Sequence, residues 1–156
     1  KNTLYEAINK RRSIRAFRNK AITKEDFLFI TKNIFEFASK YDLEIYFINN
    51  NISNMKKGIY KNVKLQKEGD FKETAIKLAL NQKLAGQSAF TLFFTSSNIK
   101  NYFYLYILSG FISQILYLRT TSINLSSSGI GAYFDDITKE FFETSNNIFY
   151  VFAIGK

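Results

Sequence analysis

The chain has 156 residues, 46% of them apolar, with seventeen Phe and ten Tyr, so it has the length and apolar content of one folded domain rather than of a disordered segment. Cys and His are both absent, which excludes a disulfide framework, thiolate or imidazole metal sites, Cys nucleophiles and the Ser-His-Asp arrangement, and leaves Asp, Glu, Lys or Tyr to act as any general base. A formal net charge of +9 favours anionic ligands, although abundant Lys, Asn, Ile, Phe and Tyr with no Pro is also the pattern of an AT-rich coding sequence.

Five helices and four strands are predicted in chain order. Thr3-Leu4-Tyr5-Glu6 has the form of a capping box and opens a first helix of about 10 residues. Thr23, followed by Glu25 and Asp26, opens a second, in which Phe27, Phe29, Ile30, Ile34 and Phe37 recur at helical spacing. Leu43 to Ile48 reads as a strand and Gly58 to Leu65 as another, joined through the polar turn Asn49 to Asn54. Asp70-Phe71-Lys72-Glu73 is a further capping pattern, before a helix with Ile76, Leu80 and Leu84 on one face. Phe90 to Thr95 and Phe149 to Gly155 are mostly apolar, as strands buried on both faces are. Tyr102 to about Leu125 predicts a long central helix, and Asp135 and Asp136 cap a short last one carrying Phe141 and Phe142.

The central helix is long enough to suggest a membrane span, since Tyr102 to Leu118 approaches the length that crosses a thin bilayer. It holds Ser109, Gly110, Ser113 and Gln114, and charges stand at Lys100 and Arg119. A helix buried all round within a domain or a dimer fits better, and no membrane partner is expected. Nor does a long apolar stretch open the chain as a secretory signal would.

Lys10-Arg11-Arg12-Ser13-Ile14-Arg15-Ala16-Phe17 places four cations and a hydroxyl within six residues, and Arg18 and Lys20 extend the patch. Guanidinium forks match phosphate oxygens in pairs and a serine adds a neutral donor, so a phosphate site is chemically reasonable. A solvated charged face and a nucleic-acid footprint fit the same residues, and a basic run alone separates none of the three.

Here the chain resembles a known family. Arg-Arg-Ser-x-Arg-x-Phe at residues 11–17 resembles the opening signature of flavin-dependent nitroreductases. Gly110-Phe111-Ile112-Ser113-Gln114-Ile115-Leu116-Tyr117-Leu118 is similar to that superfamily's core helix, where Gln follows a Gly by four residues and an apolar Tyr-Leu turn comes next. Ser128-Gly129-Ile130-Gly131-Ala132-Tyr133-Phe134-Asp135-Asp136 resembles a segment of its thiazole/oxazole-forming peptide dehydrogenase branch, the streptolysin-type azoline oxidases. Ile148 to Lys156 is similar to the last core strand. Weaker pieces at Ser39 to Tyr46, Lys57 to Tyr60 and Gln87 to Phe90 keep the family's order, so the likeness is colinear over nearly the whole chain.

The resemblance implies a single nitroreductase-like FMN-binding domain over residues 1–156, of α+β class, with a mixed, mainly antiparallel sheet flanked by helices and a long central helix. It implies that Arg11, Arg12, Ser13 and Arg15 hold the FMN phosphate and ribityl chain, with Lys156 as a further phosphate ligand. Gln114 becomes a flavin contact, its alternative being a helix–helix hydrogen bond in the core or across a dimer. The backbone at Gly129, Ile130 and Gly131 approaches the ring near N5. The implied protein is a cytoplasmic homodimer that passes a hydride through N5. Either NAD(P)H reduces a nitro compound or quinone, or an azoline ring in a modified peptide is oxidised while Lys100 or Tyr102 removes a proton. A small-molecule or peptide substrate is expected, and nucleic acid is not.

Three departures from the family pattern stand out. Its Pro-Ser-Gly-Gly-like stretch is shortened to Ala38-Ser39-Lys40, its Lys-Tyr pair is spaced as Lys100-Asn101-Tyr102, and its Leu-Gly-Leu-Gly is replaced by Asn124-Leu125-Ser126-Ser127-Ser128. They leave a second reading open, in which a catalytically degenerate protein of this fold serves as a partner or scaffold in a peptide-modifying complex.

Overall fold

Aromatic and β-branched side chains suit the pleated, packed surface of a sheet, and the densest runs of them in this chain become the middle of one. The computed structural model describes residues 1–156. Its elements follow in the order α1 (Leu4–Lys10), α2 (Lys24–Thr31), α3 (Ile34–Lys40), β1 (Glu44–Asn49), β2 (Gly58–Lys61), β3 (Lys64–Glu68), α4 (Lys72–Leu78), α5 (Lys83–Gln87), β4 (Phe90–Ser96), α6 (Tyr102–Ser122), β5 (Ser126–Ile130), α7 (Asp135–Phe141) and β6 (Asn147–Gly155). A 3-10 turn, Ile99–Asn101, leads into α6. The six strands form one sheet in the order β3-β2-β1-β4-β6-β5. Every neighbouring pair is antiparallel. The expected α+β class and the long central helix are therefore present. The mixed character of the sheet reduces to two isolated parallel bridges, Ser13 with Ser127 and Ile22 with Ile52.

The sheet separates two cores, and strand alternation sorts side chains between them. Ile45 and Phe47 of β1, Phe90, Leu92 and Phe94 of β4, and Phe149, Phe152 and Ile154 of β6 share one core with residues of α2, α3 and α6. Tyr46, Ile48, Phe93, Val151 and Ala153 share the other with Ala75 and Leu78 of α4 and Ala85 of α5. Every residue of β4 is buried. A register shift at Phe94 and Thr95 leaves one extra residue on β6, so that Phe149 and Tyr150 both join the first core. Phe47 is the hub of that core. Its ring stacks on Tyr60 at 4.6 Å and lies 5.4 Å from Phe27, 6.0 Å from Phe35 and 6.1 Å from Phe90.

Two of the four predicted caps form, and several helices end earlier than expected. The Thr3–Glu6 and Thr23–Asp26 boxes both form reciprocally, although α1 has only 7 residues. The predicted second helix is two helices, because Asn33 takes a left-handed φ of 61° and turns α2 into α3. Asp70 accepts the Lys72 N–H at 3.1 Å, yet Phe71 is the N-cap residue and no reciprocal box forms. The helix expected through Leu84 is interrupted by Leu80 and Asn81, both at positive φ, and resumes as α5. Gly58 to Leu65 is a hairpin, β2 and β3, turning at Asn62 and Val63. Asp135 and Asp136 occupy the first turn of α7, where carboxylates favour the helix dipole, and Phe134 is the N-cap without a side-chain bond. Ser126–Ile130, for which no strand is predicted, is strand β5.

No helix is long and apolar enough to cross a membrane. Nor is α6 buried all round: Leu105, Ile112 and Leu116 are enclosed, whereas Phe103, Ile107 and Phe111 are exposed. Arg119 near its end donates to the carbonyls of Ile30 and Lys32 at 2.9 and 2.8 Å, which holds the α2–α3 break against α6. Because Phe47 is fully enclosed by four rings, Phe47→Ala is expected to lower the unfolding free energy by about 3–5 kcal/mol, read from urea denaturation.

Candidate functional site

The Arg-Arg-Ser turn follows directly on α1. Arg11 is the C-cap residue, its N–H bonded to the Ala7 carbonyl. The chain beyond it runs along the free edge of β5. Ser13 bridges Ser127 in parallel register, the Ile14 N–H reaches the Ser127 carbonyl at 3.4 Å, and farther on the Arg18 N–H donates to the Lys156 carbonyl at 2.5 Å. Phe17 is buried in the second core and pins the segment there. Arg12 folds back on its own turn, donating from Nη1 to the Asn9 and Arg11 carbonyls at 2.9 and 2.7 Å. Arg12, Ser13 and Arg15 are exposed, and Arg11 is half-buried.

Tyr117 of α6 joins this turn to the glycine segment. Its hydroxyl lies 2.7 Å from Ser13 Oγ and accepts the Gly129 N–H at 2.7 Å. The Arg11 guanidinium carbon sits 5.0 Å from the centre of its ring, within cation–π range, and Phe152 packs edge-on from the core at 4.8 Å. Close by, Thr120 Oγ1 and Ser127 Oγ are 3.0 Å apart, a second link between α6 and β5. The sequence motif suggested only an apolar Tyr-Leu turn here. A tyrosine on the core-facing side of an apolar helix was the available signal, because a buried phenol needs a partner. One turn earlier, Ser113 Oγ is buried without a partner.

The two glycines of the segment differ in kind. A Cβ on Gly129 would fall 1.9 Å from the Tyr150 hydroxyl oxygen and 2.8 Å from its Cζ, so any side chain there must displace Tyr150. A Cβ on Gly131 would meet nothing within 4 Å. Gly131 and Ala132 follow the last residue of β5 and are exposed, whereas the side chain of Ile130 is buried in the second core. At Ile130, then, only the backbone is available to a ligand. The result is the Ser13 hydroxyl and the Arg11 guanidinium gathered at Tyr117, with Arg12 and Arg15 exposed on the same turn and the backbone of Gly131 and Ala132 open just past the end of β5.

The remaining predicted residues lie apart from this junction. Gln114 is exposed rather than buried, on the same side of α6 as Gly110 and Phe111. The burial argument for it therefore fails, because the Gln114 side chain is open to solvent within the chain. Lys156 lines a pocket of about 470 Å³ with Ile14, Ala16, Arg18, Lys20, Asn124 and Ser126, at the start of β5, and Tyr117 is not among its lining residues. Lys100 lies in the 3-10 turn, and Tyr102 is the first residue of α6; both are exposed. The Tyr102 hydroxyl pairs with that of Tyr106 at 3.1 Å rather than with Lys100. That hydrogen bond, with partial burial, pushes the Tyr106 pKa up to about 12. Burial likewise raises Tyr133, whose hydroxyl donates to the Ile148 carbonyl at 3.2 Å. Tyr106 and Tyr133 are thus neutral phenols at physiological pH.

The profile described as the Nitroreductase family matches residues 8–156. The chain belongs to the nitroreductase family. No curated protein matches it in sequence. Among solved structures, a protein of Anabaena variabilis assigned as a nitroreductase superposes with a TM-score of 0.86 at 22% identity, covering 98% of this chain. NfrA1 of B. megaterium gives 0.72 at 16% identity over 99% of the chain. The E. coli microcin synthetase McbBCD complex with truncated pro-MccB17 bound gives 0.74 at 12% identity over 96%. This nitroreductase-family chain spans only 38%, 66% and 72% of those three chains. At these identities the likenesses establish the fold. Within this nitroreductase fold the two glycines are expected to respond oppositely to a methyl group. Gly129→Ala lowers stability by about 1–3 kcal/mol by displacing Tyr150, and Gly131→Ala changes it by less than about 0.5 kcal/mol, both read from urea denaturation.

Proposed function

We propose that this chain binds FMN along the edge of β5 and acts as an FMN-dependent oxidoreductase. One observation carries the reading. The Arg-Arg-Ser turn and the glycine segment, more than a hundred residues apart in the chain, meet at the Tyr117 hydroxyl and leave open space over Gly131. The donor set fits the cofactor. Arg11, Arg12 and Arg15 neutralise a phosphate, and Ser13 gives it a neutral hydrogen bond. The backbone from Ile130 through Ala132 flanks the ring edge, where a side chain at Gly131 would otherwise stand. FMN, when bound, supplies the two-electron chemistry; the chain supplies charge, orientation and a wall that excludes water from one side.

Two substrate classes fit. NAD(P)H with a nitro compound or quinone is the simpler pair. Oxidation of an azoline ring in a modified peptide draws support from the likeness to the microcin synthetase complex, which holds a peptide precursor. In the second case proton removal falls to Lys100 or Tyr102. Tyr102 already has a neutral hydroxyl partner in Tyr106, which positions its phenol.

The wall on the other side is assigned to a second copy of the chain. Phe103, Ile107, Gly110, Phe111 and Gln114 follow one another along the exposed side of α6, and Leu4, Tyr5 and Ile8 extend the apolar surface on the neighbouring α1. Gly110 has no protein atom within 4 Å of where a Cβ would be, so another helix has room to approach closely there. Lys156, with Arg18 and Lys20, remains a secondary candidate for the phosphate.

Mixing the purified chain with FMN and desalting it is expected to leave yellow protein whose absorbance bleaches anaerobically with NADH or NADPH. The Arg12→Ala/Arg15→Ala double variant should bind FMN about 100-fold more weakly. Full retention by that variant, or a colourless wild-type protein, contradicts the site. By sedimentation, wild-type protein is expected to run as a dimer and Phe103→Lys, at a side chain 79% exposed in the protomer, as a monomer.

A further inference from the structure

We infer that Tyr117 is a positioning residue: its hydroxyl couples the phosphate-holding turn to the ring-holding backbone, so that the phosphate of a flavin is felt at its ring. The inference rests on the FMN site proposed above and adds a residue to it. A backbone N–H can only donate, so Tyr117 Oη accepts from Gly129 at 2.7 Å. Either hydroxyl can donate in the 2.7 Å contact between Tyr117 Oη and Ser13 Oγ, and an anion at Ser13 selects one arrangement. Ser13, an exposed side chain between Arg12 and Arg15, turns its proton to the anion and accepts that of Tyr117. The chain of donors runs from Gly129 N–H through Tyr117 O–H to Ser13 O–H and ends at an anion. Hydrogen bonds aligned head to tail polarise one another, so an anion at Ser13 strengthens the bond at Gly129.

The surroundings favour this role over a generic packing one. The ring is wedged between Phe152 and the Arg11 guanidinium, so the hydroxyl has little freedom to move off its two partners. Gly129 is fixed from the other side by Tyr150, whose hydroxyl fills the place of a side chain. A displacement of the Ser13 turn is therefore passed to the strand end rather than absorbed. Thr120, one turn of α6 away, makes a comparable link to Ser127, with further bonds only to the Leu116 and Tyr117 carbonyls, and so provides a buried control.

The test compares FMN with riboflavin, which lacks the phosphate, in wild type, Tyr117→Phe and Thr120→Val, with thermal unfolding of each apoprotein alongside. Tyr117→Phe keeps the ring and removes only the relay. The preference for FMN over riboflavin is expected to fall about tenfold in Tyr117→Phe, and the visible circular dichroism of the two bound flavins, distinct in wild type, should converge. Thr120→Val is expected to lower the melting temperature and keep the wild-type preference. Ser13→Ala, which breaks the relay at its other end, should reproduce the loss, and Ser13→Ala/Tyr117→Phe should add little to either single variant. An unchanged preference in Tyr117→Phe overturns the positioning role and leaves the FMN site standing. So does a loss shared equally by both flavins and by Thr120→Val. Failure of wild-type protein to bind either flavin overturns the site and this inference together.

Discussion

The outer edge of β5 is the constraint on which the site depends. An edge strand offers unpaired backbone groups that must be covered or paired. β5 has a further weakness: Ser126, Ser127, Ser128 and Gly129 bring almost no apolar surface to hold it. It is kept in the sheet by β6 on one side, and by the parallel bridge from Ser13 and the Tyr117 and Thr120 hydroxyls on the other. The N-terminal segment therefore lies over β5 for structural reasons, with Phe17 as its anchor in the core. In consequence, Ser13 and the Arg11 guanidinium meet at the Tyr117 hydroxyl and ring, next to Gly129 of the strand. The contacts that close the fold here are the ones on which the proposed ligand site rests.

A second constraint runs through α6. The helix packs its Leu105, Ile112 and Leu116 side into the sheet and leaves Phe103, Ile107 and Phe111 facing outward. Apolar groups of this size, grouped on one face, mark an interaction surface. That surface lies on the helix that also carries Tyr117, so the proposed second copy, seated on it, is the proposed cover for the open side of the site.

What could be read in advance was what depends on neighbours in sequence. The Thr3–Glu6 and Thr23–Asp26 caps are side chain-to-backbone bonds three residues apart, and both form. The apolar runs of β1, β4 and β6 pointed to buried strands because little else accommodates so many aromatics. Breaks were harder to see. The chain has no Pro and seven Gly, and it hands left-handed positions to asparagine: Asn19, Asn33, Asn54, Asn62, Asn81 and Asn124 all have positive φ. Asparagine is common enough here that such a position carries no local mark, so the α2–α3 break and the β2–β3 turn were read through. β5 was missed because three serines have no strand preference of their own; its pairing is tertiary. The misreading of Gln114 has another cause. Hydropathy reports that a helix is apolar, not whether its cover comes from its own chain or from another. Of the candidate site, the arginines, Ser13 and the glycines were visible as motifs, and Tyr117 emerged only once those motifs were seen to meet.

The central claim is that one ligand touches the Arg-Arg-Ser turn and the glycine segment at once, and amide chemical shifts during a titration with FMN address it residue by residue. The account predicts that the largest changes fall on Arg11 through Arg15 and on Gly129 through Ala132, moving together with a single dissociation constant. Changes confined to one of the two segments, or centred on Arg18, Lys20 and Lys156, would contradict it.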